Sequence, residues 1–409
     1  MVPTPAARRP LRTLLYSTLY PSRSRPMHGI FVETRLRELL REGGVEARVV
    51  APVPWFPSTS PRFGDYARIA ATPERETRHG IEVVHPRYPL LPKVGMSLAP
   101  LLLALASIGP IRRLQRAGFD FDLIDAHYYY PDGVAAAWLA RHFGKPLAIT
   151  ARGTDLNLIP RHAAPRRMMR WAAQRAGASI GVCAALVEVL RGWGVPPERL
   201  HVIRNGVDLE RFRPLDPARM RAELGIGGAP LLLSVGHLIE RKGHDVAIGA
   251  LARLARSRPG ARLVVVGEGP ERERLGALAR AEGVGDAVRF AGVVANDELA
   301  RWYSAADLLV LASSREGWAN VLLEAMACGT PVVATRIWGT PEVVASDEVG
   351  LLVERRDAAA FATAIERALA RRFDRARVRR YAEDFGWGAT SRAQLELFGR
   401  LAAGGIRDA

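Results

Sequence analysis

Short, wholly apolar runs alternate with helix-length amphipathic stretches along almost the whole chain, and this alternation limits the fold more than any other feature. In the first half the apolar runs predict strands at 12–18, 47–53, 81–85, 123–126, 147–150 and 179–182. Helices are predicted between them at 31–41, 99–116, 134–143 and 166–175. In the second half strands are predicted at 231–235, 262–266, 288–290, 308–311, 332–334 and 350–353. Helices follow at 244–256, 271–282, 297–303, 321–328 and 358–370, and a last one at 387–401. Short strands that are apolar on both faces belong in parallel sheets covered by helices on each side. Two runs of six such strands predict an α/β chain with two doubly wound, Rossmann-like domains. The competing arrangement is a closed eight-fold barrel. The Pro- and Arg-rich stretch 52–79 reads as long and irregular, which counts against a barrel.

The turn-rich sequence Asn205-Gly206-Val207-Asp208, followed by Pro214 and Pro217, marks the boundary. The expected division is a first Rossmann-like domain at 1–203, a second at 204–385 and a terminal helix at 386–409 that packs back on the first domain. Only two cysteines occur, Cys183 and Cys328, which excludes a disulfide framework or a cysteine-based zinc site and fits a reducing, cytoplasmic compartment. Arg8, Arg9 and Arg12 precede too short an apolar stretch for a signal peptide. The most apolar run, 98–111, is interrupted by Pro100 and Pro110 and falls short of the ~20 residues a membrane-spanning helix needs.

Charge separates the halves. Residues 1–200 hold 28 basic and 15 acidic side chains, a net of +13, whereas 201–409 hold 30 and 27, a net of +3. The first half therefore expects an anionic neighbour: a phosphorylated substrate, an anionic membrane surface or nucleic acid. Aromatics do not interleave with the basic residues and no RNA-binding signature occurs, so nucleic acid is not expected. Leu101–Leu103 and Leu105, followed by Arg112, Arg113 and Arg116, suggest a helix on the inner face of a membrane; a core-facing helix is the alternative. Only three lysines occur, Lys93, Lys145 and Lys242, so a lysine inside a motif carries weight.

In doubly wound sheets, ligands sit at the carboxyl ends of the strands. Two such sheets facing each other would make a cleft, which directs attention to the loops after the strands. After strand 308–311 comes Glu316-Gly317-Trp318-Ala319-Asn320-Val321-Leu322-Leu323-Glu324. Its two glutamates would span ~12 Å if the segment were wholly helical. That distance suits two hydroxyl-bearing groups across a diphosphate. The intervening amides open a helix, capped by Asn320 or Ser314, and a helix start attracts anions. After strand 231–235, the loop Gly236-His237-Leu238-Ile239-Glu240-Arg241-Lys242-Gly243 offers two adjacent cations to phosphate oxygens. Gly267-Glu268-Gly269-Pro270 reads as a tight turn entering a helix. In the first half, His127 ends strand 123–126, Arg152 and Asp155 follow strand 147–150, and Gly29 leads a helix where its amide can approach a phosphate. No HExxH, GxSxG or Walker A pattern occurs, and Asp120-Phe121-Asp122 lies before its strand rather than after it, so no metal is expected to bridge the diphosphate.

Taken in order, Asn205-Gly-Val-Asp208, Gly236…Arg241-Lys242-Gly243, Gly267-Glu-Gly-Pro270 and Glu316…Glu324 resemble family four of the retaining GT-B glycosyltransferases, relatives of glycogen synthase. Gly29-Ile-Phe-Val32, His127-Tyr-Tyr-Tyr-Pro-Asp-Gly133 and Arg152-Gly-Thr-Asp155 are similar to the branch that builds bacterial surface polysaccharides, teichuronic acid type. The resemblance implies that Lys242 and Arg241 hold the donor diphosphate and that Glu324 accepts from the ribose hydroxyls. Glu316 would contact the donor sugar, and amides near Asn320, Val321 and Leu322 would meet sugar and phosphate. Gly29, Asn205, Gly236, His237, Gly267, Val293 and Gly317 would complete the donor site. His127 would lie near the anomeric carbon, with Arg152 and Asp155 on the acceptor side. Many relatives carry Arg where this chain has His237, so Arg241 or Arg204 would supply that charge.

The expected activity is retaining transfer of a hexose-type sugar from a nucleoside diphosphate sugar to a glycan or polyprenyl-linked acceptor, with no cofactor and no metal. The alternatives are a nucleotide-sugar epimerase or phosphorylase of the same fold.

Overall fold

All twelve apolar runs fold as strands, and four strands without an apolar signal join them. The computed structural model describes residues 9–89 and 95–404, so Arg8 and Lys93 lie outside the described residues. The chain divides into two units: one ends at Arg204 and resumes at Gly388, and the other is Asn205–Trp387.

The first unit contains β1 (Leu11–Tyr16), β2 (Val45–Val50), β3 (Val53–Pro54), β4 (Arg75–Arg78), β5 (Ile81–Val84), β6 (Arg87–Tyr88), β7 (Leu123–His127), β8 (Leu147–Ala151), β9 (Ala178–Gly181) and β10 (Leu200–Val202). Its main sheet runs β10-β9-β8-β7-β1-β2-β5-β4, and β3 pairs with β6 outside it. Every pairing in the main sheet is parallel except that of β4 with β5. The order reverses at β1, the topological switch point where ligands gather in such sheets. β7 and β8 are buried from end to end, as their uninterrupted apolar character requires.

The stretch expected to be irregular, 52–79, carries β3, a turn of 3-10 helix at Pro61–Phe63, a helix at Asp65–Ala70 and β4. β4 reads Arg-Glu-Thr-Arg because it is an edge strand, where charge protects against further pairing and leaves no apolar pattern to read. The helix expected at 99–116 is the 22-residue helix Gly95–Arg116, which runs through both Pro100 and Pro110. Each proline removes a backbone hydrogen bond, but Leu103, Ser107, Ile111 and Leu114 still bury one stripe of the helix and hold it. Among the described residues it is the one helix long and apolar enough, by length and composition, to cross a membrane. The last helix, Trp387–Gly404, places Leu397 and Phe398 in a core with Leu39, Leu123, Ala148, Ala178 and Ile180 of the first unit.

The second unit holds β11 (Leu231–Val235), β12 (Arg262–Val266), β13 (Val288–Gly292), β14 (Leu308–Leu311), β15 (Val332–Thr335) and β16 (Gly350–Val353) in the order β13-β12-β11-β14-β15-β16, all parallel. Two open sheets replace the barrel alternative. The chain reverses direction across this sheet between β11 and β14, so the loops after those two strands lie at its switch point.

Candidate active site

In the second unit, glycine lets the post-strand loops pack backbone to backbone. Gly243 has φ +71°, and a Cβ there would lie 2.0 Å from the Ala312 carbonyl oxygen. Gly267, at φ +134°, would meet the Gly236 carbonyl oxygen at the same distance. The Leu238 amide donates to the Glu268 carbonyl (2.8 Å), so the Gly267–Pro270 turn serves to seat the Gly236–Gly243 loop. Arg356 clasps the same region by donating to the carbonyls of Ala312 (2.7 Å) and Glu240 (2.9 Å).

That packing brings Lys242, Arg241 and Glu316 together across 74 residues of sequence. Lys242 Nζ donates to Glu316 Oε1 at 2.7 Å, Ser313 Oγ donates to the same oxygen at 2.7 Å, and Arg241 lies 3.5 Å from Oε2. Glu316 is 8% exposed. Burial pushes its carboxyl up, but Lys242, Arg241 and Ser313 outweigh burial and hold it below the usual range. Two cations against one carboxylate leave a net positive charge. Arg241 is braced by the Arg315 carbonyl (2.8 Å).

The helix after this loop begins at Asn320, so Glu316 stands outside it and the wholly helical span does not apply. Neither Asn320 nor Ser314 caps it: the cap position is Ala319, with no side-chain bond, and the first turn carries no acid. Asn320 instead accepts from Asn205 at 3.2 Å. Gly317 and Leu322 are buried and Val321 partly so. Glu324, one turn into the helix, accepts from the buried hydroxyl of Tyr303 (2.7 Å), and burial raises its pKa. Val293, just past the end of edge strand β13, is 66% exposed, and His237 is exposed on the loop after β11.

In the first unit, His127 ends β7 almost wholly buried. Its Nδ1 accepts a hydrogen bond from Arg152, and its Nε2 lies 3.1 Å from Asp125 Oδ2. Burial first, and then the arginine charges, bring its pKa down to about 4. Gln394 of the last helix approaches the same Asp125 oxygen (3.4 Å) and accepts from Arg35 Nε (2.7 Å). Asp155, read as an acceptor-side group, is fully buried and accepts from the amides of Tyr129 (2.9 Å), Arg152 (3.0 Å) and Gly153 (2.7 Å). Its carboxylate thus folds the loop that presents Arg152. Gly29 has φ +69° at the start of helix Ile30–Glu42, where a Cβ would lie 2.3 Å from the Leu19 backbone. Asp132 accepts from Thr18 (3.0 Å), and burial raises its pKa to about 8.

Sequence reasoning missed Tyr303, Ser313, Arg356, Asp125 and Gln394. Two of them were visible: Asp125 interrupts an apolar strand, and Gln394 falls on the inward stripe formed with Ser391, Leu397 and Phe398. The other three are brought to the site by tertiary packing and carry no local signal.

Two doubly wound units, with their charged and glycine-rich groups on loops after parallel strands, define a chain of the GT-B fold class. The profile for glycosyltransferase family 4 matches residues 29–211, and that for glycosyl transferases group 1 matches 217–385. The chain belongs to this family. A D-inositol 3-phosphate glycosyltransferase of Frankia alni is 36% identical over 302 residues, covering 68% of this chain and 74% of the relative. One from Catenulispora acidiphila is 33% identical over 392 residues, covering 89% and 92%. Among solved structures, a sucrose-phosphate synthase from Thermosynechococcus elongatus superposes with a TM-score of 0.78 at 24% identity, over 97% of this chain and 100% of that one. Anabaena HepE in complex with UDP-glucose gives 0.71 at 20% identity, over 95% and 99%. Both likenesses are of fold.

Proposed function

We propose that the chain transfers a hexose-type sugar, with retention, from a nucleoside diphosphate sugar to a hydroxyl of a phosphate-bearing acceptor. The observation that carries the donor half is the Lys242–Arg241–Glu316 cluster, a cationic site at the switch point of the second sheet. Lys242, Arg241 and the uncapped amides at Asn320–Leu322 neutralise the diphosphate in place of a divalent ion. Glu316 meets the sugar hydroxyls, Glu324 the ribose and Val293 a face of the base.

The bond from the anomeric carbon to the departing phosphate oxygen breaks, and the bond to the acceptor oxygen forms on the same face. The acceptor proton leaves with the nucleoside diphosphate. No side-chain nucleophile is invoked: Asp125, Asp132 and Asp155 are buried, the first two bonded through Oδ2 and the third through both oxygens. The family resemblance supports retention.

On the acceptor side, Arg152 is the cation beside His127, and the first half carries the net +13. The name borne by the relatives makes an inositol phosphate the first acceptor to test. A lipid-linked glycan, as in surface polysaccharide synthesis, is the second reading, favoured by the exposed leucines of helix Gly95–Arg116. The experiment measures nucleoside diphosphate release from a donor panel, in EDTA, with inositol phosphates, lipid-linked glycans or no acceptor. Acceptor-dependent release with one donor supports the proposal. Release or epimerisation that ignores every acceptor, or activity that requires an added divalent ion, overturns it.

A further inference from the structure

The sheet of the second unit ends at edge strand β16, yet the segment after it reaches back past β15 to the loops after β14 and β11. That segment is Glu354-Arg355-Arg356-Asp357. Asp357 caps the helix Ala358–Arg371 by accepting from the Ala360 amide (2.8 Å). This helix is pressed on helix His244–Leu254, where a Cβ on Gly249 would lie 2.9 Å from the Cβ of Ala358. Cap and packing fix the segment, and its two arginines then part. The Arg355 side chain is 82% exposed and pairs with Asp357 (2.8 Å). The Arg356 side chain is 28% exposed and turns inward.

Arg356 Nε donates to the carbonyl of Ala312, at the start of the loop that carries Ser313 and Glu316. Its Nη2 donates to the carbonyl of Glu240, beside Arg241 and Lys242. Nε and Nη2 lie on one edge of a rigid planar group, so the two carbonyls are held at a fixed spacing. Asp245, in the first turn of helix His244–Leu254, stands 3.9 Å from the same cation. Other bonds across the two loops run from the Ser314 amide to the Arg241 carbonyl (2.8 Å), from the Arg241 guanidinium to the Arg315 carbonyl and from Lys242 to Glu316. The last two use the cations that a diphosphate would engage. Arg356 ties the loops through their backbones and leaves those side chains free to change partners.

We infer that Arg356 is a positioning residue for the donor site: its fork holds the loops after β11 and β14 in register while Lys242 and Arg241 exchange Glu316 for phosphate. The inference rests on the donor reading proposed above and adds to it a group that acts through the backbone. A lysine at this position would carry the charge but could not present two fixed N–H groups to the carbonyls of two loops. Charge and clasp can therefore be told apart.

The test compares wild type, Arg356→Lys, Arg356→Met and Lys242→Ala as full chains, by hydrogen exchange and by calorimetric titration with UDP, ADP and GDP. In both Arg356 variants exchange over 239–243 and 313–316 should rise roughly tenfold, while β11, β14 and helix Ala358–Arg371 keep their protection. Affinity for the nucleoside diphosphate that wild type binds should fall roughly tenfold, and in turnover donor KM should rise with kcat retained, a split that general loss of fold does not produce. Unchanged exchange in either loop overturns the inference. So does a lysine variant that keeps both protection and affinity, since charge alone would then suffice. Protection lost through helix Ala358–Arg371 also overturns it, because the arginine would then be holding its own element. Loosened loops with affinity kept in Arg356→Met but lost in Lys242→Ala overturn it as well. If the loops loosen and no variant, Lys242→Ala included, changes the affinity, the clasp stands and the donor reading is what falls.

Discussion

Arg152 and Asp125 grip His127 from opposite edges of its ring. A guanidinium only donates, so Nδ1 must accept, and the ring proton sits on Nε2 facing the Asp125 carboxylate. Neither nitrogen remains to take a proton from an acceptor hydroxyl. The ring is therefore held neutral and fixed at the end of β7.

A pH dependence of stability follows. The pKa of His127 is lowered from 6.5 to about 4, chiefly by burial, and His244 beside Ser234 is lowered to about 4 for the same reason. In the unfolded chain both take up protons as pH falls through 6.5, whereas the folded chain resists until near 4. Stability is thus lost on going from about pH 6.5 towards 4, by roughly 3 kcal/mol per histidine at the limit. Urea midpoints for wild type and His244→Asn between pH 7 and 4.5 check this. A variant as acid-sensitive as wild type would show that His244 contributes nothing.

Lys242→Ala should leave Glu316 buried with Arg241 and Ser313 alone. Removing one partner of a buried pair costs about 3 kcal/mol. The loss of Coulombic support also lets burial raise the Glu316 pKa. Donor affinity should fall roughly tenfold to a hundredfold. Glu316→Gln should keep the fold and lose turnover, because a neutral amide cannot hold the two cations. Calorimetric titration with nucleoside diphosphate, beside melting curves, separates the two effects. Donor affinity unchanged in Lys242→Ala would remove lysine from the site.

Much of this site was legible in the sequence because family motifs and post-strand loops coincide. Lys242 and Glu316 stand on the loops that follow β11 and β14, Glu324 stands in the helix that follows the second loop, and parallel sheets gather such loops at one edge. Capping was misread at Asn320 because its side chain is engaged by Asn205, 115 residues away, which no local pattern records. Asp155 looked like a free acid after a strand, yet its neighbours' amides needed an acceptor. β4 went unread because an edge strand carries charge where an interior one carries valine.

Tyr303→Phe should weaken donor binding without touching the chemical step. The hydroxyl fixes one Glu324 oxygen, and on the reading proposed above the other meets the ribose. Its loss frees the carboxylate to rotate, and KM for the donor should rise roughly threefold to tenfold with kcat retained. Because burial already raises the Glu324 pKa, donor affinity should also fall as pH drops and the carboxyl protonates. Initial rates at saturating and limiting donor across pH distinguish this from a folding defect, which would lower both parameters.

Gln394 tests whether the last helix acts on the site or only covers the sheet. Its side chain spans Arg35 and Asp125, and Asp125 in turn orients His127. Gln394→Leu keeps the volume but leaves the buried Arg35 Nε without that acceptor, costing about 1–3 kcal/mol. A purely structural role would end there, with kcat normal at temperatures where the variant is folded. A positioning role lowers kcat while donor KM holds, since on the reading proposed above the diphosphate and ribose are held by Lys242, Arg241 and Glu324 of the second unit. Gln394→Glu should restore the acceptor to Arg35 yet set a second carboxylate beside Asp125. If it recovers stability without recovering kcat, the Asp125–His127 geometry is what the glutamine maintains; if kcat follows stability in every variant, the helix is a cover and nothing more.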